Sequence, residues 1–141
     1  MKTLNKKASE VAQKFTPNAV TDITGFGLVG HLIEICKSSK VSAKIYFNQI
    51  DLLPGTLDLI EEGIMPGGSK RNLEHAEKFT NFSSELSYNE KLITCDAQTS
   101  GGLLITLPPK DAKAFLNDFG NKANVVGEII SEKDKPIMVS L

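Results

Sequence analysis

An aspartate at the head of a glycine-rich segment is the residue in this chain best suited to chemistry. Asp22 lies two residues before Thr24, within the segment TDITGFGLVG at positions 21–30. A hard cation such as Mg²⁺ is commonly held by one or two carboxylates together with the oxygens of substrate phosphates. Glycines beside such a carboxylate allow a phosphate to approach the backbone closely. A metal site at Asp22 is therefore one hypothesis, and the other is that Asp22 or Thr24 simply caps the helix that follows.

The same segment also satisfies the dinucleotide-binding pattern G-x-G-x-x-G, which runs from Gly25 to Gly30. Asp51 follows Gly30 by 21 residues, near the place of the acidic residue that binds a ribose. Against this interpretation, the preceding residues include two threonines where a buried parallel strand would be apolar. They also include Asp22, whose charge would repel a pyrophosphate. We therefore predict no dinucleotide site in this segment.

Two further glycine loops occur at residues 67–70 (GGSK) and 99–102 (TSGG). The first resembles the end of a P-loop, but Ser69 separates the glycine pair from the lysine, so the P-loop spacing is not met. The second can form a nest of backbone amides for an anion, or only a tight turn into the next strand. No histidine is placed by a motif to activate Ser100. No catalytic residue is therefore predicted in this chain.

The cysteines and histidines do not form a metal-ligand pattern. Cys36 and Cys95 lie far apart, and neither has a second thiol or a histidine at ligand spacing. We predict that both cysteines are reduced and buried, as in a cytoplasmic protein. His31 and His75 stand alone on predicted helices, and they are predicted to be packing or surface residues.

Composition limits the class of protein. The chain has 141 residues, 16 basic against 17 acidic side chains and 40% hydrophobic residues, which is typical of one globular domain. Without a basic stripe there is no electrostatic footprint for nucleic acid. No apolar stretch approaches the roughly 18 residues that a membrane span requires. We expect a cytoplasmic protein that contacts neither nucleic acid nor membrane.

Hydrophobic periodicity predicts the elements that must position these loops. Residues 103–107 form a nearly unbroken apolar run, which predicts a strand covered on both faces, whereas residues 81–89 are predicted to be irregular. Because helices and strands do not alternate regularly, an α+β fold is predicted for a single domain over residues 1–141. The predicted helices are 4–15, 28–36, 57–64, 73–79, 90–94 and 109–119, and the predicted strands are 41–47, 103–107, 125–130 and 137–141.

Three motifs in order resemble the C-terminal domain of the selenophosphate synthetase (selenide, water dikinase) family. They are TDITGFGL at 21–28 with the Gly-His pair at 30–31, PGGS at 66–69 with Arg-Asn at 71–72, and DAQTSGGLL at 96–104. This domain is of the type shared with aminoimidazole ribonucleotide synthetase, and the resemblance covers essentially the whole chain. Ala97 stands where the family usually has proline, which implies a looser turn.

The resemblance implies a two-domain, ATP-dependent enzyme that makes selenophosphate, AMP and phosphate from selenide, ATP and water. Its N-terminal domain, absent from this chain, would carry the reactive cysteine or selenocysteine, the catalytic lysine, most magnesium carboxylates and the ATP loop. That domain would also form the homodimer. The implied fold has helices around a mostly antiparallel four-stranded sheet. The implied site comprises Asp22 as ligand of Mg²⁺, and Thr24, Gly25, Gly27, Gly67, Gly68, Asn72, Thr99, Ser100, Gly101 and Gly102 as ATP-binding residues.

Two alternative functions stay open at this stage. The chain could be the C-terminal domain of another ATP-using relative, acting in purine synthesis or hydrogenase maturation, or it could be a non-catalytic binding module. Phe26 in the first motif and the run QTSGG at 98–102 favour the selenium enzyme.

Overall fold

Two separate sheets and six helices make up the part of the chain that the computed structural model describes, residues 3–120 and 123–141. The longest helix has 13 residues, and no helix within these ranges is long and apolar enough to cross a membrane. The helices are α1 Lys6–Ala12, α2 Gly27–Ser39, α3 Thr56–Glu61, α4 Gly67–Ala76, α5 Tyr88–Thr94 and α6 Pro109–Phe119. The strands are β1 Ala19–Asp22, β2 Val41–Tyr46, β3 Thr80–Phe82, β4 Leu103–Thr106, β5 Gly127–Ser131 and β6 Ile137–Ser140.

The larger sheet has four strands in the order β3-β6-β2-β5. β6 runs parallel to both β3 and β2, and β2 runs antiparallel to β5. The α+β class is therefore confirmed, but the expectation of a mostly antiparallel sheet is wrong, since two of its three pairings are parallel. The consecutive strands β5 and β6 do not form an antiparallel hairpin, because β2 lies between them in the sheet.

The main core lies between α2 and this sheet. The apolar stripe predicted on α2 is confirmed, because Val29, Leu32, Ile33 and Cys36 are all buried. The helix ends at Ser39, and the next residue, Lys40, adopts a left-handed conformation with φ of 53° and turns the chain directly into β2. The sheet residues that form the opposite side of the core are Ala43, Ile45, Ile137 and Val139.

A second, smaller apolar cluster joins α1 and α6 to the two-stranded ribbon of β1 and β4. Val11, Ala12 and Phe115 are its buried members, and the rings of Phe15 and Phe115 meet edge to face at 5.8 Å. All four residues of β4 are only partly buried, so the prediction of a strand covered on both faces is wrong. The strand pairs with β1 alone. Its apolar composition therefore did not indicate that both of its faces are buried.

The short strands β1 and β3 were not among the predicted elements. β1 alternates partly buried and exposed residues over four positions, which is too short a pattern to identify without knowing its partner. α5, by contrast, begins with a complete capping box between Ser87 and Glu90. That helix holds the start of the third glycine loop in place.

Candidate functional site

Three loops that are distant in sequence meet beside the β1–β4 ribbon. We call residues 22–26 the first loop and residues 96–102 the third loop. Residues 66–69 keep the name second loop, but they are Pro66 and the first three residues of α4, so the prediction of a glycine loop there is wrong. The ribbon pairs Asp22 with Leu103. Beyond it, the Ile23 amide donates to the Gly102 carbonyl, and the Gly101 amide donates to the Ile23 carbonyl, each at 2.9 Å. The first and third loops are thus held together by backbone hydrogen bonds.

Ser69 attaches the second loop to the third. Its side chain is 1% exposed, and its hydroxyl donates to Oδ1 of Asp96 at 2.8 Å. The same hydroxyl accepts the Ala97 amide at 3.2 Å. A buried hydroxyl that is satisfied on both sides fixes the relative position of the two loops.

Asn72, in the second turn of α4, connects that helix to the first loop and to the residue that precedes the third loop. Its Nδ2 donates to the Gly25 carbonyl at 2.8 Å and to the Cys95 carbonyl at 3.1 Å. The neighbouring Lys70 is exposed, as expected for a solvated lysine. Since both amide protons of Asn72 are used inside the protein, its ATP-binding role stays a prediction that rests on the side-chain oxygen.

Asp22 ends β1 with its side chain exposed. The N-cap position of α2 belongs to Phe26, and no side chain there accepts a capping hydrogen bond. The hypothesis that Asp22 or Thr24 caps α2 is therefore wrong. Among residues 3–120 and 123–141, no group of three histidine, cysteine, aspartate or glutamate side chains is close enough to hold a metal. A cation at Asp22 would need its other ligands from phosphates, water or another domain, as Mg²⁺ sites often do.

Thr24 is anchored by a residue that sequence analysis missed. Its amide donates to Nε2 of His31 at 3.1 Å, and its hydroxyl lies 3.2 Å from the same nitrogen. Its carbonyl accepts the amides of Gly27 and Gln98, each at 3.1 Å. His31 was predicted to be a packing or surface residue, and a lone histidine on a helix gives no signal of the loop that folds back onto it.

Two of the predicted glycines are required by packing. Gly27 has a φ of +72°, and a Cβ atom there would lie 2.5 Å from the carbonyl carbon of Cys95. A Cβ atom at Gly101 would lie 2.5 Å from the carbonyl oxygen of Ile23. These glycines allow the first loop to touch the chain at the start of the third loop and the third loop to touch Ile23.

Three other glycines in these loops meet no such requirement. A Cβ atom at Gly25, Gly67 or Gly102 would have no other residue within 4 Å, beyond its chain neighbours, and none of the three has a positive φ. Gly68 is intermediate, with the Cβ atom of Ala97 at 3.4 Å. The packing of this domain therefore does not explain why Gly25, Gly67 and Gly102 lack side chains.

Thr99 and Ser100 lie at the exposed tip of the third loop. Within the described part of the chain, neither side chain makes a hydrogen bond that would hold it in place, and the structure assigns them no further role. Beside the loops, a groove of about 440 Å³ runs between α2 and α4. It is lined by Phe26, Gly30, Glu34, Asn72 and His75, and the Phe26 ring is 64% exposed.

Neither cysteine has the properties of a nucleophile. Both are free and buried, as predicted. Burial raises the pKa of Cys36 to about 11. Burial also raises the pKa of Cys95 to about 11, although a hydrogen bond with Thr94 acts in the opposite direction. Since the thiolate is the reactive form, both groups are inert near neutral pH.

Comparison with known proteins gives one family and one recurring name. The family model described as AIR synthase related protein, C-terminal domain, matches residues 1–140. A selenide, water dikinase of Clostridium botulinum is 37% identical over 142 residues, which is 99% of this chain and 41% of the relative. A protein of the same name from Citrifermentans bemidjiense is 39% identical over 141 residues, covering 98% of this chain and 40% of the relative. The chain spans about 41% of the length of the first of these curated relatives.

The division of the glycines predicts that alanine substitution destabilises the protein at two positions and has little effect at two others. We expect Gly27→Ala and Gly101→Ala to lower the free energy of unfolding by about 1–3 kcal/mol, because the added methyl overlaps backbone atoms. Gly25→Ala and Gly102→Ala should change it by less than about 0.5 kcal/mol. Urea denaturation of the four variants checks this. Equal destabilisation in both pairs would show that all four glycines serve packing.

The raised thiol pKa values predict that both cysteines resist modification in the native protein. At pH 8 a thiol reagent such as Ellman's reagent should react with neither residue on the minute timescale, and with both after unfolding in urea. Because the folded pKa lies above the unfolded value, the thiols also favour the native state below about pH 9 and lose that effect toward pH 11. Rapid reaction of one thiol in the folded chain would contradict the burial of that residue.

Proposed function

The chain belongs to the family of AIR synthase related protein C-terminal domains, and on this basis we propose that it is the C-terminal domain of a selenide, water dikinase. In this proposal the full-length protein converts selenide, ATP and water into selenophosphate, AMP and phosphate. The domain contributes Asp22 and the three glycine loops to the nucleotide site. The shared name of the relatives, whose similarity covers nearly all of this chain, supports the selenium enzyme over purine synthesis, hydrogenase maturation and a non-catalytic binding module.

The observation that carries the proposal is the exposed carboxylate of Asp22 beside glycines whose missing side chains the fold does not require. A structural aspartate would cap a helix or pair with a base, and Asp22 does not cap α2 and forms no salt bridge with the described residues. Gly25 and Gly102 lie in the two loops at the same end of the ribbon, where Asp22 pairs with Leu103. A ligand that needs both an anionic oxygen and free backbone surface is a phosphate group bound through a cation.

The residues present fit a magnesium-bound nucleotide in part. Asp22 would supply one anionic oxygen ligand, and Mg²⁺ bound there would neutralise charge on the transferring phosphates. Gly25, Gly67 and Gly102 would let those phosphates approach the backbone without a steric clash. Asn72 and Ser69 contribute indirectly to nucleotide binding. Their side-chain donors bind other parts of the protein and hold the loops at fixed positions.

The remaining parts of the reaction are assigned to the N-terminal domain of the same protein. Within the described residues, both thiols are buried and Ser100 has no base hydrogen-bonded to it. We therefore place the nucleophile, the catalytic lysine, the other magnesium carboxylates and the homodimer contact in that N-terminal domain. A cytoplasmic location belongs to the same proposal.

The proposal predicts a specific result for Asp22→Asn in the full-length protein. Selenide-dependent ATP turnover should fall on the order of 100-fold at millimolar Mg²⁺, because the amide removes the charge that a hard cation needs. Partial recovery is expected at high Mg²⁺ or Mn²⁺. The free energy of unfolding without ligand should change by less than about 0.5 kcal/mol. Phosphorus NMR of the products and urea denaturation provide the two measurements.

Asp51→Asn is the matched control, because Asp51 is also an exposed aspartate and the substitution removes the same charge. It should turn over at the wild-type rate. If Asp22→Asn is fully active across magnesium concentrations, the metal assignment is wrong. If Asp51→Asn loses activity instead, the dinucleotide interpretation would have to be reopened.

A further inference from the structure

The hydrogen bonds at Thr24 fix the state of the His31 ring. A backbone amide can only donate, so Nε2 of His31 must accept from the Thr24 amide at 3.1 Å. The ring is then neutral with its proton on Nδ1. The Thr24 hydroxyl lies 3.2 Å from the same nitrogen, whose single lone pair it would share with the amide.

The His31 ring is held in place by neighbouring residues at the start of α2. It is partly buried and contacts the Phe26 ring at a centroid distance of 5.7 Å. Gly30 leaves room for this arrangement, because a Cβ atom there would lie 2.7 Å from the Cβ atom of Phe26. The groove lined by Phe26 and Gly30 also contains the titratable side chains of Glu34 and His75.

The start of α2 has no side-chain cap, so the first loop depends on other groups to hold its backbone. β1 fixes the loop as far as Asp22, and the amide of Gln98 fixes the Thr24 carbonyl. The Thr24 amide lies between Asp22 and the Thr24 carbonyl. His31 accepts the hydrogen bond from this amide, which has no other hydrogen-bond acceptor among the described residues.

We infer that His31 is a positioning residue that anchors Thr24, and so holds the loop presenting Asp22 in the geometry that binds the cation. The functional half of this inference rests on the proposed function, while the structural half concerns this chain alone. His31 acts through Thr24 and does not itself touch a reacting atom.

Two matched variants test the anchor. His31→Gln places an acceptor oxygen near the position of Nε2, whereas His31→Leu has similar bulk and no acceptor. Both residues are good helix formers. In the 141-residue chain, we expect hydrogen exchange of the Thr24 amide to become roughly tenfold faster in His31→Leu and to stay near the wild-type rate in His31→Gln. The buried amide of Leu32 serves as an internal control for global stability.

A measurement on the wild-type chain makes the test independent of how the variants fold. With ¹⁵N labelling, a scalar coupling across the hydrogen bond should connect the Thr24 amide nitrogen to Nε2 of His31. Absence of this coupling, or equal Thr24 exchange in the wild type and His31→Leu, would overturn the anchor.

The functional half is read in the full-length protein from the magnesium concentration at half-maximal turnover. We expect His31→Leu to raise it roughly tenfold and His31→Gln to restore it. If the exchange results hold but neither variant changes the magnesium requirement, the functional inference is wrong. Asp22→Asn separates this from a failure of the proposed function, because normal turnover in Asp22→Asn would reject the metal site itself.

Discussion

The close approach of the first and third loops is the constraint on which the candidate site depends. At Gly27 and at Gly101, the two segments are so near that even a methyl group would overlap backbone atoms of the partner. The backbone hydrogen bonds of Ile23 then lock the pair, and the α1–α6 cluster supports the ribbon from behind. Ser69 and Asn72 can bridge to the second loop only because the other two loops already form one surface.

This arrangement divides the glycines by what they do. Gly27 and Gly101 allow two segments of the protein to touch, whereas a Cβ atom at Gly25, Gly67 or Gly102 would contact no other segment. The second group is the one that a ligand would use, and its members come from all three loops. In the proposed function, the Asp22 carboxylate and these stretches of accessible backbone form part of a nucleotide site. This chain spans about 41% of the length of the first curated relative, and the proposal assigns the remainder of the site to the rest of the full-length protein.

The sequence predicted local features better than long-range ones. The buried stripe of α2 follows from helical periodicity, and α6 begins at Pro109 because proline is well suited to a first helical position. The order of strands in the larger sheet depends on which distant segments meet, so no local pattern predicted that β2 separates β5 from β6. The prediction that β4 is buried on both faces failed for a related reason. Its apolar residues belong to a two-stranded ribbon rather than to a central strand of a larger sheet.

At the site, the motifs predicted which segments matter, and the structure separated their roles. Residue type and spacing suggested Asp22 as a metal ligand, and the family resemblance suggested the glycines as ATP-binding residues; both assignments stay predictions. The structural roles of Ser69 and His31 were not predicted, because a hydroxyl or an imidazole reveals its partner only when the chain is folded. The capping role that the sequence allowed for Asp22 was removed by a single fact, that α2 begins after Phe26.

Paramagnetic broadening by Mn²⁺ in the ¹⁵N-labelled chain tests most directly whether the three loops form one cation-dependent site. Mn²⁺ prefers the same oxygen ligands as Mg²⁺ and reports weak binding at substoichiometric amounts. With ATP present, the amide signals of Thr24, Gly25, Gly67 and Gly102 should broaden first, and this pattern should vanish in Asp22→Asn. Broadening centred on another acidic stretch, such as Glu61 and Glu62, or unchanged by Asp22→Asn, would contradict the account.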